Sequence, residues 1–120
     1  MRKVIGVDIG TTGVKALLFN EDGSIVGEAS REQALSYPES GFVEQDPAAW
    51  YEVPCGLIRQ VLEETRTSGD DVGAVGISSQ GISIVPVDEA FEPIAPGISW
   101  LDARATAEVG RMLDEFSREA

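Results

Sequence analysis

The sequence predicts a single α/β domain built on a mixed sheet with flanking helices, and three observations carry that expectation. Strand-like apolar runs occupy residues 3–9, 14–20 and 24–31, separated by turns rich in Gly, Thr, Asp and Asn. A helical stripe follows, with Trp50, Val53, Pro54, Leu57, Ile58, Val61 and Leu62 at offsets 0, 3, 4, 7, 8, 11 and 12. After it, Val72 to Ser79 reads as one more strand and the stretch beyond Asp102 as a second helix. Three meandering strands, a crossover helix and a returning strand require both antiparallel and parallel pairing, the arrangement of an α/β layer domain.

The first two strands enclose the most informative local feature, Asp8-Ile9-Gly10-Thr11-Thr12-Gly13. A Gly-rich turn leaves successive backbone N–H groups uncovered and able to converge on anionic oxygens, and Thr11 and Thr12 add hydroxyl donors. Asp8 faces the same oxygens, which an acid can do only with a cation between them, most simply Mg2+ held through water. The glycines at 6, 10 and 13 fit neither the dinucleotide nor the Gly-Lys-Ser/Thr phosphate loop, and the residues after Gly13 form a strand. The motif is therefore a hairpin loop. An ordinary hairpin would explain its glycines and leave Asp8 without a role.

Asp22-Gly23 supplies the turn into the third strand, and residues 32–45, with Pro38 and Gly41, read as a connection crossing the sheet. Asp46 caps the long helix, with Pro47 at its first position, where a missing donor costs nothing. Pro54 lies inside and predicts a kink rather than a break, and the helix is expected to stop near Ser68-Gly69. Val72 to Ser79 is expected to be buried, with Gly73 and Gly76 admitting close neighbours. Ile82 to Val87 and the stretch holding Pro86, Pro93 and Pro96 read as a hairpin with irregular arms. Asp102 is placed as the cap of a last helix whose face is Ala105, Val109, Met112, Leu113 and Phe116, still running at the end of the chain.

At 120 residues the chain amounts to one domain. A net charge of −12 with scattered basic residues excludes general nucleic-acid binding, which rests on Lys and Arg neutralising phosphates. No apolar run reaches membrane-spanning length, no membrane partner is expected, and the start of the chain lacks a secretory signal pattern, so the expected location is cytoplasmic. The chain has no histidine, which leaves acid-base chemistry to carboxylates or to groups elsewhere. Cys55 stands alone and reads as a small packed residue.

Three separated motifs, Asp8-Ile9-Gly10-Thr11-Thr12, Gly41-Phe42-Val43-Glu44-Gln45-Asp46-Pro47 with Trp50, and Trp100-Leu101-Asp102-Ala103-Arg104, resemble the N-terminal lobe of FGGY-family carbohydrate kinases. Gly76-Ile77-Ser78-Ser79-Gln80-Gly81 falls where that family places a substrate-lining strand end, and the resemblance covers essentially the whole chain. Actin-like and heat-shock-chaperone ATPases share the hairpin; the second and third motifs make the likeness specific. It implies a ribonuclease-H-like fold of the actin/hexokinase superfamily. It also implies ATP-dependent phosphorylation of a sugar, polyol or sugar acid, as in xylulose, gluconate and glycerol kinases, with ATP and Mg2+ as cofactors and a homodimer among the expected assemblies of the parent. Residues 1–120 would be the lobe carrying the sugar pocket and phosphate hairpin, ending before the family's catalytic base and ATP-binding lobe. No catalytic residue is then expected within them, and the isolated piece is expected to be inactive.

The resemblance assigns Asp8 to Mg2+ through water and Gly10, Thr11 and Thr12 to the transferring phosphate. Lys15 either reaches that phosphate or is a solvated surface lysine. Trp100 lies against the sugar or belongs to the core, and Gln80 and Gly81 line the substrate. Asp102 and Arg104 either bind sugar hydroxyls or serve as a helix cap and an ion pair. Glu44-Gln45-Asp46-Pro47 reads as helix capping and loop anchoring. Where xylulose-type relatives tend to carry Met-His-Gly after the glutamine and glycerol kinases Arg-Glu, this chain has Gly81-Ile82-Ser83, so neither specificity carries over. The reading from another class is an actin- or chaperone-like ATPase switch without a sugar substrate, which leaves Trp100 to Arg104 unexplained.

Overall fold

The computed structural model describes residues 2–117. Its main sheet contains β1 (Lys3–Ile9), β2 (Gly13–Phe19), β3 (Ile25–Glu32) and β5 (Val72–Ser79) in the order β3-β2-β1-β5. The meander pairs antiparallel, and β5 returns parallel to β1. A second, two-stranded sheet joins β4 (Glu44–Gln45) to β6 (Gly97–Ile98). The helices are α1 (Ala49–Glu64) and α2 (Thr106–Phe116).

Strand alternation decides which side chains meet α1. Val14, Ala16 and Leu18 of β2 are buried while Lys15 between them is exposed, the period-two pattern of a sheet covered on one face. With Ile5, Val7 and Ala29 they form the floor of a core whose roof is Leu57 and Val61 of α1. Asp8 and Lys15 are register partners and so share the opposite face.

Asp46 is not the N-cap of α1, which is Ala48 without a side-chain cap; its Oδ1 instead accepts the Ala48 amide at 2.9 Å in the turn that leads into the helix. The first turn is tightened by bonds from Ala49 and Trp50 back to Asp46 and Pro47, and α1 then runs unbroken through the buried Pro54. It ends earlier than Ser68-Gly69. Arg66 takes φ 52°, and the amides of Arg66 and Thr67 reach back to Glu63 and Leu62, closing a Schellman loop with an arginine where glycine is usual. Ser68 caps the short 3-10 turn Gly69–Asp71 instead.

The returning strand has the expected bounds but is not buried. α1 covers the meander and stops short of β5, leaving Val75 50% and Ile77 70% exposed. Gly73 does receive a close neighbour, the Arg2 side chain, whereas Gly76 faces open space. The irregular hairpin is present as isolated bridges Val87↔Pro93 and Ile84↔Ile98. Gly97 at its far end lets the Trp50 ring approach; a Cβ there would meet the ring at 2.7 Å, so this contact ties α1 to the small sheet.

Asp102 does not cap α2, whose N-cap is Ala105. The apolar face of that helix packs on nothing among the described residues: Val109, Met112, Leu113 and Phe116 are each more than half exposed. The radius of gyration, 18.9 Å, against about 14 Å for a compact chain of this length, fits a helix that stands clear of the sheet. Contrary to the expectation of a helix still running, α2 ends at Phe116 with Ser117 as its C-cap, and residues 118–120 lie outside the described residues.

Candidate functional site

At the end of β1 the chain turns through Gly10 to Gly13, and the way this hairpin is anchored sets what it can bind. The Gly10 amide is spent inside the turn, donating to Gly13 O at 2.9 Å. A side chain at Gly10 would place Cβ 2.9 Å from the same oxygen. The three following carbonyls are all held inward. Gly10 O accepts from Gln33 Nε2 at 3.4 Å, Thr11 O from Gln45 Nε2 at 2.9 Å and Thr12 O from the Gln33 amide at 2.9 Å.

In a planar trans peptide the carbonyl and the next N–H point opposite ways. Holding Gly10 O and Thr11 O inward therefore turns the Thr11 and Thr12 amides outward, and among the described residues neither donates to a protein acceptor. Two adjacent uncommitted N–H groups make an anion-binding concavity. The exposed Asp8 carboxylate stands beside it without an ion pair among the described residues.

Asp8, Gly10 and Thr11 form one wall of an open cleft of about 420 Å3 whose other wall is Ser79, Gln80, Gly81, Ile82 and Trp100. Trp100 is 52% exposed and its indole donates to Thr11 Oγ1 at 2.8 Å, so it is a cleft residue and not a core one. Gln80 reaches the cleft by continuing the parallel pairing, its amide donating to Ile9 O at 2.8 Å. Its side-chain nitrogen turns back to Gln45 Oε1 at 2.8 Å. Thr12 and Lys15 line an adjoining recess with Asp8 and Gly10.

Asp102 and Arg104 are not in this cleft. Asp102 accepts the Val43 amide at 2.7 Å and the Arg104 amide at 2.9 Å, and grips the Arg104 guanidinium at 2.7 and 2.8 Å. Arg104 also reaches Glu44 at 2.8 Å and lies over the Phe42 ring, 4.0 Å from its centroid. With Ala103 N to Gly41 O and Ser99 N to Val43 O, these contacts zip the Trp100-to-Arg104 segment onto Gly41 to Glu44. The result is a clamp that fixes where Trp100 emerges.

The N-terminal domain of the FGGY family of carbohydrate kinases matches residues 3–120. The chain belongs to that family. It is 39% identical to a glycerol kinase of Janthinobacterium sp. (strain Marseille) over 87% of its length, and 35% identical to a xylulose kinase of Staphylococcus xylosus over 91%. It superposes on the crystal structure of xylulose kinase from Rhodospirillum rubrum with a TM-score of 0.79, at 33% identity, over 95% of this chain and 23% of that one. The fold is accordingly that of the sugar kinases in the actin/hexokinase superfamily, as expected. The FGGY chain spans only 21% and 22% of those two curated relatives.

Within the FGGY lobe, Gln33 and Gln45 are the residues that the sequence pattern does not reveal. Gln45 sits in the Glu44-Gln45-Asp46-Pro47 motif, and its anchoring role reaches past the connecting loop to the hairpin itself. The lobe's clamp also has a pH signature. The Arg104 hydrogen bonds hold the Asp102 carboxyl well below its ordinary 3.8, against some desolvation, and Asp102 in turn raises Arg104. A carboxyl lowered by folding adds stability that is complete above its unfolded value and is lost as pH falls toward its folded one. Asp102→Asn is therefore expected to lower the melting temperature by a constant amount from about pH 7 to about pH 5, with the gap closing below about pH 4. A gap that keeps its full size in acid would show that the charge of Asp102 does not matter.

Proposed function

We propose that this chain is the lobe of an ATP-dependent carbohydrate kinase that carries the sugar pocket and the phosphate hairpin, and that the intact protein transfers a phosphoryl group to a hydroxyl of a sugar, polyol or sugar acid. The observation that carries this reading is the single cleft in which the outward Thr11 amide and Asp8 face Gln80 and Trp100. The donors fit the proposed groups: uncommitted amides at Thr11 and Thr12 suit phosphate oxygens, and an unpaired exposed carboxylate suits a hydrated Mg2+. When bound, the metal would neutralise charge on the phosphate chain.

Thr11 and Thr12 would steady the transferring group, with Lys15 at the edge of the recess adding positive charge. Trp100 would offer the face of its ring to the C–H side of a carbohydrate. Gly81 and the 90% exposed Ile82 put little hydrogen-bonding capacity on their side of the cleft, which favours a substrate with a less polar end there. Among the described residues Asp8 is the one carboxylate lining the cleft and is committed to the metal side, so the base that takes the hydroxyl proton would come from the rest of a longer, cytoplasmic enzyme. Its assembly as a homodimer belongs to the same proposal.

The decisive experiment is ADP release by the intact protein against a panel of pentuloses, polyols and sugar acids, with ATP and Mg2+. One substrate class is expected to stimulate release at least about 10²-fold over the water background, and residues 1–120 alone are expected to give none. ATP hydrolysis indifferent to every panel member would favour the ATPase-switch reading.

A further inference from the structure

We propose that Gln45 is a positioning residue shared by the two walls of the cleft, setting both the outward direction of the Thr12 amide and the orientation of the Gln80 side chain. The proposal rests on the kinase reading for its kinetic consequences and on geometry alone for its structural ones. Gln45 is 3% exposed, and its whole amide is engaged. Its nitrogen donates to Thr11 O at 2.9 Å and to Ala34 O at 3.3 Å, and its oxygen accepts from Gln80 Nε2 at 2.8 Å.

The polarity of this relay is forced. Backbone carbonyls can only accept, so the Gln45 nitrogen has to face Thr11 and Ala34, which leaves its oxygen toward β5. Gln80 must then present its own nitrogen, and its Oε1 ends up buried and without a partner. Turning either amide over would bring oxygen against oxygen at the buried Gln45 side chain, at the cost of unmade hydrogen bonds. One side chain thus reads the position of the strand end that lines the substrate side and holds the peptide whose N–H faces the phosphate side.

Two consequences separate this from mere packing. A ligand that displaces Gln80 pulls on Gln45 and so on the Thr11–Thr12 peptide, although among the described residues no hydrogen bond joins Gln80 to Thr12. Loss of the relay also misplaces the phosphate donors without removing the substrate wall, so turnover suffers more than substrate affinity.

The test uses the intact kinase labelled with 15N, with Gln45→Met and Gln80→Met as variants of similar length. Gln45→Met is expected to lower kcat about 30- to 100-fold with the carbohydrate KM changed less than about 3-fold. Adding Gln80→Met to Gln45→Met is expected to lower kcat by less than about 2-fold more, because the Gln45–Gln80 bond is already lost, while any change in carbohydrate KM reports the place of Gln80 in the cleft. In either variant the Thr12 amide resonance moves, and it stays put in Gln60→Met, an exposed control on α1.

A kcat within about 3-fold of wild type in a folded Gln45→Met protein, or fully additive losses, would overturn the proposal. If Gln45→Met does not fold, Gln80→Met decides alone, since residue 80 is half-exposed and an unmoved Thr12 resonance there refutes the relay. A wild-type protein that phosphorylates nothing in the panel would overturn the kinase reading, while the resonance shifts would still decide whether Gln45 couples the two walls.

Discussion

Asp8→Asn in the intact kinase is expected to lower kcat by about 10²- to 10³-fold, the usual cost of removing one preorganised electrostatic element from a site where charge develops. The substitution keeps the shape of the side chain and removes only its charge. Asp8 is exposed and makes no ion pair among the described residues, so folding does not depend on it. The melting temperature is expected to stay close to wild type, as for surface changes worth less than about 0.5 kcal/mol. Two further readouts identify the reason for the loss. The Mg2+ concentration giving half-maximal rate should rise, and the carbohydrate KM should hold, because Trp100 and Gln80 are untouched. A variant with normal Mg2+ dependence and a rate within about 3-fold of wild type would remove Asp8 from the phosphate side of the cleft.

That Asp8 can be singled out at all reflects which interactions are local in sequence. The hairpin and the Asp22-Gly23 turn are each decided within a few residues, and both stand where the pattern puts them, whereas α1 starts at Ala49, two residues after the Asp46-Pro47 signal. The stop of α1 was not legible because Arg66 adopts the left-handed conformation that a sequence normally signals with glycine. Burial of β5 was misread for another reason. An apolar strand is expected to be covered, but whether a helix reaches it is a matter of tertiary placement, and α1 stops at the meander. Asp102 carries a capping pattern that its neighbour overrides, since a guanidinium two residues on and the Val43 amide 59 residues back outcompete the helix start.

The cleft divides along the same line. Its hairpin wall is visible in six consecutive residues, whereas the side chains that aim it, Gln33 and Gln45, are ordinary glutamines 23 and 34 residues from the carbonyls they hold. Nothing in a lone glutamine signals that its side-chain nitrogen is committed to a distant turn. Such anchors become visible only when each backbone group of the turn is asked where its hydrogen bond goes.

Leu57→Ala is expected to cost this chain about 3–5 kcal/mol, a large share of the roughly 5–15 kcal/mol that stabilises a typical domain. Leu57 is fully buried at the centre of the α1 face and closes the core over Ile5, Val7, Val14, Ala16, Leu18 and Ala29. Only α1 roofs that core among the described residues, and α1 is seated at both ends, by the Trp50 ring against Gly97 and by the Thr65 methyl against Gly27, where an added Cβ would meet them at 2.7 and 2.5 Å. The helix therefore cannot settle into the space left by the missing side chain, which places the cost high in the range for cavity-forming changes. For a chain of this size the melting temperature should fall by about 10–20 °C. Leu113→Ala supplies the contrast. That leucine is as large and as apolar, but it is 63% exposed on the free face of α2, and its removal is expected to change stability by less than about 0.5 kcal/mol. Urea titrations of the two variants measure the difference directly. Equal effects would mean that α2 also packs on the core in solution; a cost below about 1 kcal/mol for Leu57→Ala would mean that α1 is not what holds the sheet, and with it the hairpin, in place.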